Sequence, residues 1–410
     1  MAADDEHRKR TTSCPLTDSP AKAPVSLSEL ALVFLKLGTI GFGGPAGHIA
    51  LMEGEFVRKR RWITKEDFLD RLAVANLIPG PSSTEVAIFI GRSQRGWPGL
   101  IVAGCCFIIP AAVLVSMIAA AYVRFGALPR VEGILRAIKP AVIAIIIRAL
   151  WNLTKTAVKT KVLVFIGFAS AVLSFVGVAP LLVLVFAGSS SGVTLWLRKG
   201  RRTPLVLCGI GLSKTLFPAG PAAGTISAAV PISLLRLFLS FLKIGSVVFG
   251  SGYVLLAFLR AEFVDHLHWL TEKQLIDSVA VGQFTPGPVF TTATFVGYVL
   301  GGLPGAFFAT LGIFVPGFVF VALSGPLIPK IRRSPTAGAV LDGVAVGSLA
   351  LIAVVAWQLG RTSITDWLTV SILIISIIAI SRFKLNSAWL ILAAGIIGWI
   401  ARMYDVHPRP

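Results

Sequence analysis

Charge is scarce in this sequence. Only 14% of its 410 residues are Asp, Glu, Lys or Arg, where a soluble domain carries nearer a quarter. Val279 to Pro329 contains none of the four in 51 consecutive positions, and Val162 to Leu197 none in 36. A bilayer-crossing helix takes roughly 20 apolar residues, so each run suffices for about two passes. A soluble globular chain is thereby excluded. The runs are apolar all round, which also excludes a helix lying in the membrane surface. Cysteine is scarce too. Cys14, Cys105, Cys106 and Cys208 form no C-x-x-C pair and no Cys/His spacing, so no zinc site or disulfide framework is expected. Neither an H-E-x-x-H motif nor a Ser/His/Asp set stands at a membrane edge, so no enzyme, metal or cofactor is expected. The first 25 residues have no apolar core, which excludes a secretory signal and reads as a disordered polar tail.

Acid is scarcer than base: 19 Asp and Glu against 38 Lys and Arg, a net charge of +19. On a soluble chain that balance would suggest nucleic acid. Here the bases gather in short loops at Arg58–Arg61, Arg198–Arg202 and Lys330–Arg333. That is the positive-inside pattern of cytoplasmic loops. No basic helix or recognition motif supports nucleic acid as a partner.

What is present is a duplication. Moved 207 positions, "FLKLGTIGFGG" at Phe34 meets "FLKIGSVVFGS" at Phe241. "EFVRKRRWIT" at Glu55 meets "EFVDHLHWLT" at Glu262, Asp70 meets Asp277, and "PGP" at Pro79 meets "PGP" at Pro286. Ser26 and Ser233 each stand where they would cap a first helix. After Thr84 one residue is dropped, and Pro98–Gly99 meets Pro304–Gly305. The match runs about 80 residues. The basic loop Arg58–Arg61 corresponds to Asp265–His268, which has no Lys or Arg. Equivalent loops on opposite faces mean inverted repeats.

The expected fold is an all-α polytopic membrane protein of two homologous, inverted halves, with broken or re-entrant helices at GFGGP and PGP. The divisions expected are a polar tail (1–25), a first repeat (26–197), a linker (198–232), a second repeat (233–402) and a tail (403–410). Substrate sites in such proteins lie where broken helices of the two halves meet.

The breaks are Gly41–Pro45 and Pro79–Pro81, echoed at Gly250 and at Pro286–Pro288. Irregular backbone at membrane depth survives only against protein or a water-filled cavity. Proline suits the first turn of a helix, so short helices are expected to begin near Pro45 and Pro81. Ser82, Ser83 and Thr84 would then add hydroxyls to a helix N-terminus, which attracts anions. Thr291 is the second-half counterpart. A kink with tight glycine packing is the plainer alternative. Lys36 lies about 13 Å into its helix and matches Lys243. An intramembrane lysine reads as functional, unless it snorkels to the interface. Glu85 and His48 are candidates for proton coupling. The expected substrate site therefore comprises Lys36, Gly41, Gly43, Gly44, Pro45, His48, Pro79, Gly80, Pro81, Ser82, Ser83, Thr84, Lys243, Gly250, Pro286, Gly287, Pro288 and Thr291.

As a set, "FLKLGTIGFGGPAGHIALMEGEFV", "WIT" and "IPGP", with the second-half "FGSGY", "AEFV", "WLT" and "TPGP", resemble the chromate transporter family in its long two-domain form. The resemblance covers most of residues 26–125 and 233–325. It implies an oxyanion carrier that exports chromate from the bacterial inner membrane, with sulfate or another tetrahedral oxyanion as the alternative cargo. It also implies that Gly41, Phe42, Gly43, Gly44, Pro45 and His48 form the first motif, and Pro79, Gly80 and Pro81 the second. In the second half Ser251–Gly252 replaces Gly–Pro and no histidine follows, so the first half is expected to contribute more. The expected partners are the oxyanion and membrane lipid, with a homodimer as one option. The expected drive is the membrane potential, with a proton gradient as a second source.

Overall fold

Ser26 opens the first helix as its sequence predicts, its side chain accepting the N–H of Glu29 at 3.1 Å. Ser233 begins the equivalent helix without a side-chain cap. A computed structural model describes residues 25–42, 44–126, 128–199, 232–249, 252–324, 335–383 and 387–405. The residues expected as tails lie mostly outside these, as do most of the 198–232 linker, the basic loop Lys330–Arg333, and Gly43 and Gly250. Among the described residues there is no strand, only helix and connecting turns.

The first half runs α1 (Leu27–Ile40), α2 (Gly44–Met52), a π-helical stretch (Glu53–Lys59), α3 (Lys65–Ala75), α4 (Ser82–Phe125), α5 (Pro129–Ala157), α6 (Lys161–Phe175) and α7 (Pro180–Lys199). The second runs α8 (Leu234–Val247), α9 (Val254–Leu259), a π-helical stretch (Arg260–His266), α10 (Glu272–Phe284) and a 3-10 turn (Val289–Thr291). It continues with α11 (Thr292–Ser324), α12 (Pro335–Ser363), α13 (Trp367–Phe383) and α14 (Ser387–Asp405). Four stretches among the described residues are long and apolar enough to cross a membrane: Ser82–Phe125, Pro180–Leu197, Val289–Ser324 and Thr336–Ser363.

The duplication reaches backbone detail. The two π-helical stretches are 207 positions apart, and each is followed by a non-glycine residue at positive φ, Arg61 (53°) and His268 (52°). It also extends past the sequence match. α5 and α12 are both 29 residues long, both start at proline, and lie 206 positions apart. The last three helices are therefore the counterparts of α5–α7 rather than an addition to the second half. Tight helix contacts bind these parts across the halves. A Cβ on Gly343 would lie 2.3 Å from the Ala187 carbonyl oxygen, and one on Gly398 2.4 Å from that of Gly133. Small residues allow such backbone approach in membrane helices.

α4 folds back on itself. At Arg95 (φ −141°) and Gly96 (φ 61°, ψ −139°) the chain leaves helical geometry. Cβ atoms on Gly91 and Gly99 would lie 2.3 and 2.2 Å from each other's carbonyl oxygens. Along a straight helix those residues would be about 12 Å apart, so Ser82–Gln94 and Trp97–Phe125 are antiparallel arms. α11 repeats the device at Gly301–Gly302, with Gly297 against Gly305. The short arm spans about 20 Å of a hydrocarbon layer about 30 Å thick. Its N-terminal tip thus ends inside the membrane. α1 and α2 form a second re-entrant pair, because Arg60 returns to bond Glu29 at the start of α1. Arg95 donates to the Val25 carbonyl, so the turn of α4 and the start of α1 lie at one face.

The halves are inverted. Arg92, beside the first turn, donates to the carbonyls of Val321 and Ala322 at the far end of α11. Tyr122, at the far end of α4, meets Phe295 in the short arm of α11 with ring centroids 5.1 Å apart and the planes tilted by 60°. The long arms run antiparallel, so equivalent turns occupy opposite ends of the bundle.

Candidate functional site

The tips of the re-entrant segments meet and exchange backbone hydrogen bonds. Gly80 donates its N–H to the Val248 carbonyl at 2.7 Å, and Gly287 donates to the Gly41 carbonyl at 2.8 Å. The two bonds are equivalent under the 207-position shift. Pro79 and Phe249 form an antiparallel bridge beside the first. Each Pro-Gly-Pro break is therefore satisfied by the glycine-rich break of the other half, which answers how unpaired backbone survives at this depth. Gly80 (φ 136°) and Gly287 (φ 90°) adopt backbone geometry that side chains disfavour.

His48 ties the first half's two breaks together. It is buried in α2, with Nε2 2.8 Å from the Gly41 carbonyl oxygen and Nδ1 3.4 Å from the Ser83 hydroxyl. A carbonyl oxygen only accepts, so Nε2 carries the hydrogen. In the neutral ring Nδ1 then accepts from Ser83. Phe107 meets the ring edge-on at 5.4 Å. Gly41 thus accepts from both His48 and Gly287. A Cβ at Gly41 would stand 2.8 Å from His48 Cδ2, so glycine is needed for the ring to reach.

Pro81 caps α4, and the first helical bonds run from the Thr84 and Glu85 N–H groups to the Pro81 carbonyl. The N–H groups of Ser82 and Ser83 precede them and point out of the helix start. Ser82, Ser83, Thr84 and Glu85 are all buried, and the Thr84 hydroxyl has no partner among the described residues. Glu85 is 0% exposed, and among the described residues neither of its carboxyl oxygens is bonded. In the second half the hydroxyls are spent locally: Thr291 donates to the Pro288 carbonyl and Thr292 to that of Val289, each at 2.8 Å. α2 starts at Gly44 (φ 68°) with Pro45 in its first turn, and Pro286 and Pro288 are buried beside Gly287.

The lysines do not join this cluster in the present arrangement. Lys36 is on the exposed side of α1, and Lys243 pairs with Glu262 at 3.0 Å. The structure instead reveals a buried polar group that sequence reading passed over. Asp277, 1% exposed, accepts from the Tyr122 hydroxyl at 2.9 Å and lies 3.6 Å from Lys139 Nζ. Its repeat partner Asp70 is exposed. The matched aspartates hinted at a role, but Lys139 and Tyr122 come from elsewhere in the chain and carry no local motif. A cavity of about 410 Å³ opens beside this group, lined by Arg136, Lys139, Lys273 and Ser363 among others.

Comparison with known proteins agrees with this architecture. The family model described as chromate transporter matches twice, over residues 28–192 and 235–399. The chain is 33% identical to the chromate transport protein of Cupriavidus metallidurans over 386 residues, 92% of this chain and 93% of the relative. It is 31% identical to a probable chromate transport protein of Synechococcus elongatus, covering 92% and 95%. It is 30% identical to the chromate transport protein of Pseudomonas aeruginosa, covering 97% and 98%. No solved structure matches. With the family pattern present in both inverted halves and relatives aligned end to end, the chain is a multi-pass membrane protein that belongs to the chromate transporter family.

Proposed function

We propose that this protein is a carrier, not a catalyst, that exports chromate across a bacterial inner membrane by alternating access. The observation that carries the reading is the crossing of re-entrant tips from two inverted halves. At that crossing the first half presents the N–H groups of Ser82 and Ser83 and the unpartnered Thr84 hydroxyl. A helix start of this kind suits a tetrahedral oxyanion. The contribution is unequal, because Thr291 and Thr292 bond their own turns. His48, bonded to Gly41 and Ser83, holds the donors in register with the second half. Lys36, on an outer face, and Lys243, paired with Glu262, are not contacts of the anion in this reading.

Moving one charge through 100 mV is worth about 2.3 kcal/mol, so a dianion leaving an inside-negative cell gains about twice that. Export of chromate as such needs no other coupling. The test is efflux from chromate-loaded proteoliposomes under an imposed potential, with sulfate as competitor. Wild-type vesicles are expected to empty faster than protein-free ones, and Ser83→Ala with Thr84→Val to slow efflux at least 10-fold. Flux equal to that of empty vesicles sinks the reading.

A further inference from the structure

Glu85 has no carboxyl counterpart in the second half: one residue is dropped after Thr84 and Thr291, and Thr292–Ala293 follows in place of Glu85–Val86–Ala87. Its place in the fold is the crossing itself. The carboxyl packs on Gly80, where an added Cβ would lie 2.3 Å from Oε1, and its Cγ and Oε1 are 3.9 Å from the corresponding position on Gly317 of α11. It therefore fills the space between the first half's Pro-Gly-Pro tip and the second half's long arm. Neither oxygen has a hydrogen-bond partner, and none of the side chain reaches solvent.

Among the described residues no cation pairs with it. Arg92, two turns along α4, is held by the Val321 and Ala322 carbonyls. His48, from α2, is bonded to Gly41 and Ser83. From α11 the facing group is Gly317, followed by Phe318. An ionised carboxyl left without donors in apolar surroundings is strongly disfavoured, and the neutral acid far less so. A carboxylate here would also repel an anion held at the α4 N-terminus a turn away. A proton on Glu85 and an oxyanion at Ser82–Thr84 therefore favour one another.

We infer that Glu85 is a proton-binding site occupied together with the oxyanion site, so that one proton crosses with each chromate in the same direction. This rests on the proposed chromate transport. It changes the mechanism from simple dianion export, or exchange against protons, to cotransport. The net charge moved per chromate becomes one instead of two. On opening, the carboxyl meets water, loses its proton and expels the anion; no bond other than O–H is made or broken.

Two measurements test it. Infrared difference spectra of the purified protein, without chromate, should show a protonated-carboxyl C=O band at neutral pH that Glu85→Gln abolishes. An unchanged band overturns the inference whatever the substrate proves to be. In proteoliposomes carrying an internal pH dye, outward chromate flux should carry protons outward, about one per chromate. On whatever flux Glu85→Gln or Glu85→Asp retains, Glu85→Gln should lose proton movement at least 10-fold and double the charge per chromate, while Glu85→Asp keeps the wild-type ratio. Protons moving opposite to chromate, a sodium requirement replacing protons, or an unchanged ratio in Glu85→Gln each overturn it. If wild-type protein shows the band but moves no chromate, the transport reading fails and the proton site stands.

Discussion

Gly287 donates its backbone N–H to the carbonyl of Gly41 at 2.8 Å, so a break in one half is completed by a break in the other. Its Cα faces Ala111, whose methyl would lie 2.5 Å from an added Cβ, and its φ is +90°. That methyl cannot swing away. Gly287→Ala should cost about 2–5 kcal/mol from strained backbone and overpacking combined. At Gly80 (φ 136°) the obstructing atom is the end of the Glu85 side chain, which can shift where the Ala111 methyl cannot, so Gly80→Ala should cost about 1–3 kcal/mol, mainly from backbone strain. Melting in detergent should rank Gly287→Ala well below Gly80→Ala. Equal losses would mean the crossing is looser than described.

His48→Ala leaves the buried Ser83 hydroxyl without its ring partner and takes one donor from Gly41. About 1–3 kcal/mol of stability should go, and chromate efflux should fall at least 10-fold while the protein still inserts. Efflux at the wild-type rate would remove His48 from the site.

Lys139 and Asp277 should behave as a unit. Replacing Lys139 alone strands the buried Asp277, at about 3–5 kcal/mol; replacing Asp277 alone should cost less, because Lys139 is partly exposed and borders the cavity. Lys139→Met with Asp277→Leu should recover most of that loss in the same melts. Additive single losses would show that the 3.6 Å pair carries no coupling.

Asp366, capping α13, supplies a pH dependence. The Thr369 hydroxyl, then the Thr369 N–H and the Arg136 charge, hold its carboxyl below the ordinary aspartate range despite partial burial. A depressed folded value adds stability that is present above the unfolded value, about 3.9, and lost as pH falls through the folded one. The melting difference between wild type and Asp366→Asn should therefore favour wild type near neutrality and shrink below about pH 4. Because Asp366 is partly exposed, the difference should be modest and weaken with salt. A difference that grows on acidification contradicts the assignment.

Gly96 and Gly91 separate strain from contact. Nothing lies within 4 Å of a Cβ on Gly96 (φ 61°), whereas one on Gly91 would lie 2.3 Å from the Gly99 carbonyl oxygen. Gly96→Ala should cost about 1–3 kcal/mol from backbone strain alone. Gly91→Ala should force the two arms of α4 apart and cost more. Comparable melting points would argue against the close-packed hairpin.

Much of this was legible in one dimension. Charge-free runs required membrane spans, because no soluble fold buries so long a stretch without charge. The 207-position repeat required two like halves, and the charge difference between Arg58–Arg61 and Asp265–His268 pointed to inversion. Pro-Gly-Pro marked the breaks because proline and glycine leave few other local conformations. The repeat beyond residue 125 is weak in this sequence alone, because apolar helices align with one another easily; the matched lengths of α5 and α12 and the family model's two matches, over 28–192 and 235–399, revealed it.

Other features depended on the fold. Which carbonyl receives the Gly80 and Gly287 N–H groups, why His48 reaches Gly41 and Ser83, and why Lys36 stands outside while Lys139 is drawn to Asp277 all depend on partners far along the chain. Local sequence specifies that a backbone must break and which residues tolerate it. Only packing specifies what satisfies the broken backbone, because the donors and acceptors come from the opposite half, and only packing leaves Glu85 without a partner among the described residues.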